Sequence, residues 1–116
     1  MEISIKDNIG PRCIIKEDGQ KVFDEIFKAL KSGETVTLDF EGVNQFASPF
    51  FNFAIGQLLK DIKEEDLRRL LHIKNINETG MLVVERVIEN AAKYHGDKDY
   101  GKIVDDILEQ QARESN

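Results

Sequence analysis

The chain reads as a single α/β domain, with a four-stranded mixed sheet, an N-terminal hairpin and four to five helices. Three observations predict this. Its 116 residues suffice for one domain of ordinary size and are too few for two. Hydrophobic residues at 41% and charged residues at 33% supply both a core and a solvated surface. The hydrophobic period also switches repeatedly between 2 and 3.6, which places helices between strands and implies parallel crossovers.

Ile3 and Ile5 alternate with Glu2, Ser4 and Lys6, the period of a half-buried strand. Asn8-Ile9-Gly10-Pro11 is turn chemistry, and Arg12 to Lys16 is a second short strand. The short connection pairs these two strands as an antiparallel hairpin, and Glu17-Asp18-Gly19 ends the second strand. From Gln20 the pattern is helical, with Val22, Phe23, Ile26, Phe27 and Leu30 on one face. Ser32-Gly33 ends this helix, the glycine supplying a left-handed C-terminal residue. Val36, Leu38 and Phe40 form the apolar face of a third strand, followed by a turn at Glu41-Gly42.

Ser48-Pro49 opens the next helix, serine as N-cap and proline at the first helical position. It continues through Phe50, Phe51, Phe53, Ala54, Ile55, Leu58 and Leu59. Glu64 to Leu70 is a short polar helix, and Leu71 to Ile76 a fourth strand. Asn77 caps a long helix from Glu78 to Tyr94. A last helix carries Tyr100, Ile103, Val104, Ile107 and Leu108 at helical spacing. One domain therefore spans 1–116, with 110–116 expected to fray.

Sixteen basic residues against twenty-two acidic ones give a net charge of -6, which repels a phosphate backbone and argues against nucleic acid as a partner. From Asp97 onward six acidic and three basic residues give -3 of this total. A single cysteine excludes an internal disulfide framework. No run approaches the roughly 20 apolar residues that span a bilayer, and no secretory signal pattern begins the chain. The expectation is a cytoplasmic protein with no membrane contact.

Chemistry-bearing motifs are sparse. Lys31-Ser32-Gly33 lacks the glycine-rich lead-in of a phosphate loop. His72 and His95 form no metal-ligand spacing, so no metal and no cofactor is expected. Cys13 lies in an apolar strand and reads as a small hydrophobe. Asp39 and Glu41 flank a strand end, where α/β proteins place their sites. They could solvate a turn, or join His72 in acid–base work. Ser48 is sufficiently explained by helix capping; the alternative is a phosphorylation site whose phosphate would meet free helix N–H groups. Phe46, Phe50, Phe51 and Phe53 crowd eight positions. At about 100° per residue they cannot share one narrow helix face, so they belong either to the core or to an exposed contact patch.

The run Val36-Thr37-Leu38-Asp39-Phe40-Glu41-Gly42-Val43, followed by Phe46-Ala47-Ser48-Pro49-Phe50-Phe51, resembles the bacterial STAS-like domains of unknown function. Their wider relatives are the STAS domains of anti-sigma-factor antagonists and of sulfate transporters. The resemblance is best from Gly33 to Tyr94. It implies a non-enzymatic regulatory module that binds a protein partner, either a histidine-kinase-like ATPase or an anti-sigma factor. It also implies a switch by phosphorylation at Ser48, which matches the antagonists' serine. Asp39, Glu41, Phe46, Ser48, Phe50 and Phe51 are the residues expected at that partner surface. The antagonists usually carry Asp-Ser-Ser/Thr-Gly-Leu where this chain has Ala47-Ser48-Pro49-Phe50-Phe51. The rival readings are a small-anion or nucleotide sensor, an enzyme built on Asp39, Glu41 and His72, and a structural homo-oligomer.

Overall fold

The computed structural model describes residues 1–96. The element order is β1 (Glu2–Ser4), α1 (Ile5–Ile9), β2 (Arg12–Cys13), α2 (Lys16–Lys31), β3 (Val36–Asp39), β4 (Gln45–Phe46), α3 (Ser48–Ala54), a 3-10 segment (Gly56–Lys60), α4 (Glu64–Leu70), β5 (Leu71–Lys74) and α5 (Glu78–Gly96). The last expected helix and the frayed tail lie outside the described residues.

The expected single four-stranded mixed sheet is replaced by two small parallel sheets. One has the order β1-β3-β5, and the other pairs β2 with β4. In the first, Ile3 lies opposite Leu38, and Leu38 opposite Ile73. In the second, Cys13 lies opposite Phe46. There is no N-terminal hairpin. Ile3 and Ile5 look like one alternating strand, but the chain turns helical between them. The Asp7 amide donates to Ser4 Oγ at 3.3 Å, capping α1, and Ile5 is completely buried. Ile5 and Ile9 are an i, i+4 pair rather than strand neighbours. With α1 taking up the connection, β1 and β2 each pair with a later strand, which needs a crossover and gives parallel ladders.

α2 begins four residues earlier than its apolar stripe suggests. Lys16, Glu17 and Asp18 form its first turn, with two carboxylates favourably placed at the positive end of the helix. Gly19 is thus an interior helix residue, which normally costs about 1 kcal/mol relative to alanine. Its value lies in space. A Cβ at Gly19 would sit 2.3 Å from the Phe50 carbonyl oxygen and 3.0 Å from Phe53 Cβ. Glycine therefore lets the backbones of α2 and α3 approach closely.

That approach closes the core. Phe50 and Phe51 are both fully buried, their rings edge to face at 5.0 Å. Phe51 also packs on Phe40 at 5.9 Å and on half-buried Phe46 at 6.1 Å. Offset and edge-to-face rings at such distances add about 0.5–1.5 kcal/mol per pair beyond area burial. Val22, Ile26 and Leu30 of α2, and Val84, Val87 and Ile88 of α5, complete the same cluster. Asn77 caps α5 as expected, its Oδ1 accepting from the Gly80 amide at 2.8 Å. No helix among the described residues is long and apolar enough to cross a membrane.

In an unconstrained helix Gly19→Ala would stabilise. Here it should destabilise by about 1–3 kcal/mol, as overpacked sites do. Phe51→Ala should cost about 3–5 kcal/mol by opening a cavity. Urea denaturation followed by circular dichroism checks both; an unchanged midpoint for Gly19→Ala would contradict the close approach.

Candidate functional site

Ser48 is exposed and is the first residue of α3, with Ala47 in the cap position. The expected N-cap role is therefore corrected. The Ala47 side chain has no oxygen to offer, and the Ser48 side chain makes no hydrogen bond among the described residues. The chain reaches α3 along β4, whose pairing with β2 leaves the Ala47 amide donating to the Cys13 carbonyl at 2.8 Å. Ser48 is thus fixed by backbone hydrogen bonds, and its hydroxyl is free of structural duty.

The same ladder delivers two residues that the strand reading did not single out. Ile14 and Ile15 directly follow Cys13, and leave the ladder beside Ala47 and Ser48. Ile14 is 36% exposed and Ile15 51% exposed. Pro49 is exposed as well. Residues of an extended segment alternate sides, so with Cys13 buried Ile14 faces away from the core, while Ile15 lies beyond the end of the ladder, at the cap of α2. That signal was present in the sequence. Ile14, Ile15, Ser48 and Pro49 are thus all exposed at the N-terminal ends of α2 and α3.

Two expected contact residues are not among them. Phe50 and Phe51 have no exposed surface and belong to the core. Successive rings on α3 can both be buried because α2 packs on one side of the helix and α5 on another. Phe46 is half-buried, its ring against Phe40 and Phe51. Cys13 is buried, and burial together with the Asp18 carboxylate pushes its thiol up to about 12. Such a thiol is a packing group and not a nucleophile at neutral pH.

Asp39 and Glu41 occupy a separate place, at the end of β3. Asp39 Oδ1 accepts from Asn75 Nδ2 at 2.9 Å and from the Glu41 amide at 3.0 Å. The Asn75 amide above all, then the Glu41 N–H, hold the Asp39 carboxyl below its usual range, because both bonds favour the ionised form. Asn75 reaches it from a left-handed backbone, φ 59°, which asparagine tolerates better than most residues. Lys74 pairs with Glu2 at 3.0 Å, linking the strands on either side of β3. His72 lies opposite Thr37, two residues before the position opposite Asp39, and makes no hydrogen bond to either carboxylate. Asp39, Glu41 and His72 are therefore not gathered into an acid–base site. The Asp39 turn instead locks β3 to β5. Among the described residues, no group of three or more His, Cys, Asp or Glu side chains could hold a metal ion.

Two measurements check these assignments. Asn75→Gly keeps the left-handed backbone and removes the amide, so the Asp39 carboxyl titration, followed by NMR, should rise toward 3.8. A lowered carboxyl pKa stabilises the fold above the unfolded value and loses that contribution as pH falls through the folded one. The variant should therefore show a flatter loss of stability on acidification. Cys13 should resist alkylation at pH 8 under native conditions and react on unfolding; rapid native labelling would contradict its placement.

A family model matches residues 18–81, from the first turn of α2 into the first turn of α5. It encloses β3, the Asp39 turn, β4 and the Ser48 helix. No curated protein and no solved structure matches the chain. With more than half of its length covered, the chain belongs to the STAS-like domain family of unknown function (DUF4325).

Proposed function

We propose that this domain is a non-enzymatic regulatory module that binds a protein partner through the surface of Ile14, Ile15, Ser48 and Pro49. The observation that carries this reading is an exposed serine with no structural hydrogen bond, set among exposed apolar residues on a backbone fixed by β2 and β4. Apolar residues held on rigid backbone lose little entropy on docking. The STAS-like family membership supports a regulatory rather than a catalytic role. The antagonist-like switch is the finer part of the proposal: phosphorylation of Ser48 would place nearly two negative charges among residues that an apolar partner must desolvate. A kinase-type ATPase or anti-sigma factor is the partner class this reading names, and the cytoplasm is where such a partner resides.

The Asp39–Glu41 turn, included in the expected surface, acts in this reading through β3 and β5 rather than by contact. Partner capture by the tagged full chain from lysate of the source organism tests the proposal. The wild type should enrich a specific protein. Ile15→Glu and Ser48→Asp should each weaken that complex tenfold or more, about 1.4 kcal/mol. Because both positions are exposed, stability should stay within about 0.5 kcal/mol of wild type. Full binding by both variants would overturn the reading.

A further inference from the structure

At its other end, about 24 Å away at 1.5 Å per residue, α2 borders a basin of about 270 Å³. Its apolar lining comes from Leu30, Ile62 and Leu70, all nearly completely buried. Three cations also line it: Lys31 from the end of α2, Lys63 from the residue before α4, and Arg69 from the last turn of α4. Lys63 and Arg69 share one short helix and its cap, and the packing of α2 against the 3-10 segment that precedes α4 brings Lys31 to them.

These cations keep donors to spare. Lys31 Nζ donates to the Asp61 carbonyl at 2.9 Å and has two further N–H groups. Arg69 holds Asp66 at 3.4 Å through one Nη, leaving most of its guanidinium fork available. Lys63 has no ion pair among the described residues. Asp61 and Asp66 also line the basin, so three positive charges meet two negative ones. A net excess of one positive charge on a chain of net charge -6 is a local reversal of sign.

We propose that this basin binds a small organic phosphate monoester. Its oxyanion sits on Lys31, Lys63 and Arg69, and its apolar body lies against Leu30, Ile62 and Leu70. Three separated donors suit a tetrahedral anion with several acceptor oxygens. The two carboxylates limit the site to one phosphate, because each further phosphate would add charge beside Asp61 or Asp66. This site is independent of the Ser48 surface.

Titration of the full ¹⁵N-labelled chain with phenyl phosphate, inorganic phosphate, ATP and sodium chloride of matched ionic strength tests the assignment. Phenyl phosphate should give saturable shifts confined to the amides of residues 30–33 and 61–70. It should bind several-fold more tightly than inorganic phosphate, which lacks the apolar body, and than ATP. Lys63→Glu and Arg69→Gln should each weaken it tenfold or more with the rest of the spectrum unchanged, whereas Arg86→Gln on α5 should bind as wild type. Shifts reproduced by sodium chloride, wild-type affinity in both basin variants, or equal affinity for ATP would overturn the proposal.

Discussion

Gly19 and the backbone of α3 meet at a separation that only a residue without a Cβ allows, and much of the domain is arranged around that contact. Helix pairs usually stand 8–10 Å apart, with side chains filling the space between them. Removing the side chain at Gly19 draws α3 against α2, so that Phe50 and Phe51 have no route to solvent. The helical propensity lost at Gly19 is about 1 kcal/mol. Burying a phenylalanine ring returns more than that for each ring.

The same contact shapes the exposed face. With the two helices drawn together at their N-terminal halves, the segments leading into them run side by side as β2 and β4. Those strands are only two residues long, yet they fix where Ile14, Ile15 and Ser48 leave the fold. Residues held by backbone pairing need little reordering on association. The main sheet makes a different use of polar residues. Asn75, Asp39, Lys74 and Glu2 tie the strands together on the exposed side, while Val36, Leu38 and Leu71 face the core.

The two proposed binding regions differ in physical kind. The proposed Ser48 surface carries the exposed apolar side chains of Ile14 and Ile15. The basin at the opposite end of α2 is concave, with an apolar lining and a charged rim. α2 runs between them and packs against both α3 and the 3-10 segment.

The local sequence determined the α/β class, the stripe of α2 and strands β3 and β5 by their periods, Asn77 by its capping chemistry, and the family resemblance by the motif from Val36 to Phe51, because each depends on residues close together in the chain. Ser48 stood out for the same reason. What it could not determine was strand pairing, since Ile3 and Ile5 alternate equally well in a hairpin strand and across a strand–helix junction. Nor could it decide the phenylalanine cluster: whether Phe50 and Phe51 are core or surface depends on how many sides of α3 are covered, and that depends on the close approach at Gly19. Lys31, Lys63 and Arg69 likewise line one basin only once α2 and α4 are both packed on the 3-10 segment. Local hydrogen bonding and hydrophobic period are written in neighbouring residues; the partner across a ladder, the space beside a helix and the charges around a cavity are set by the three-dimensional fold.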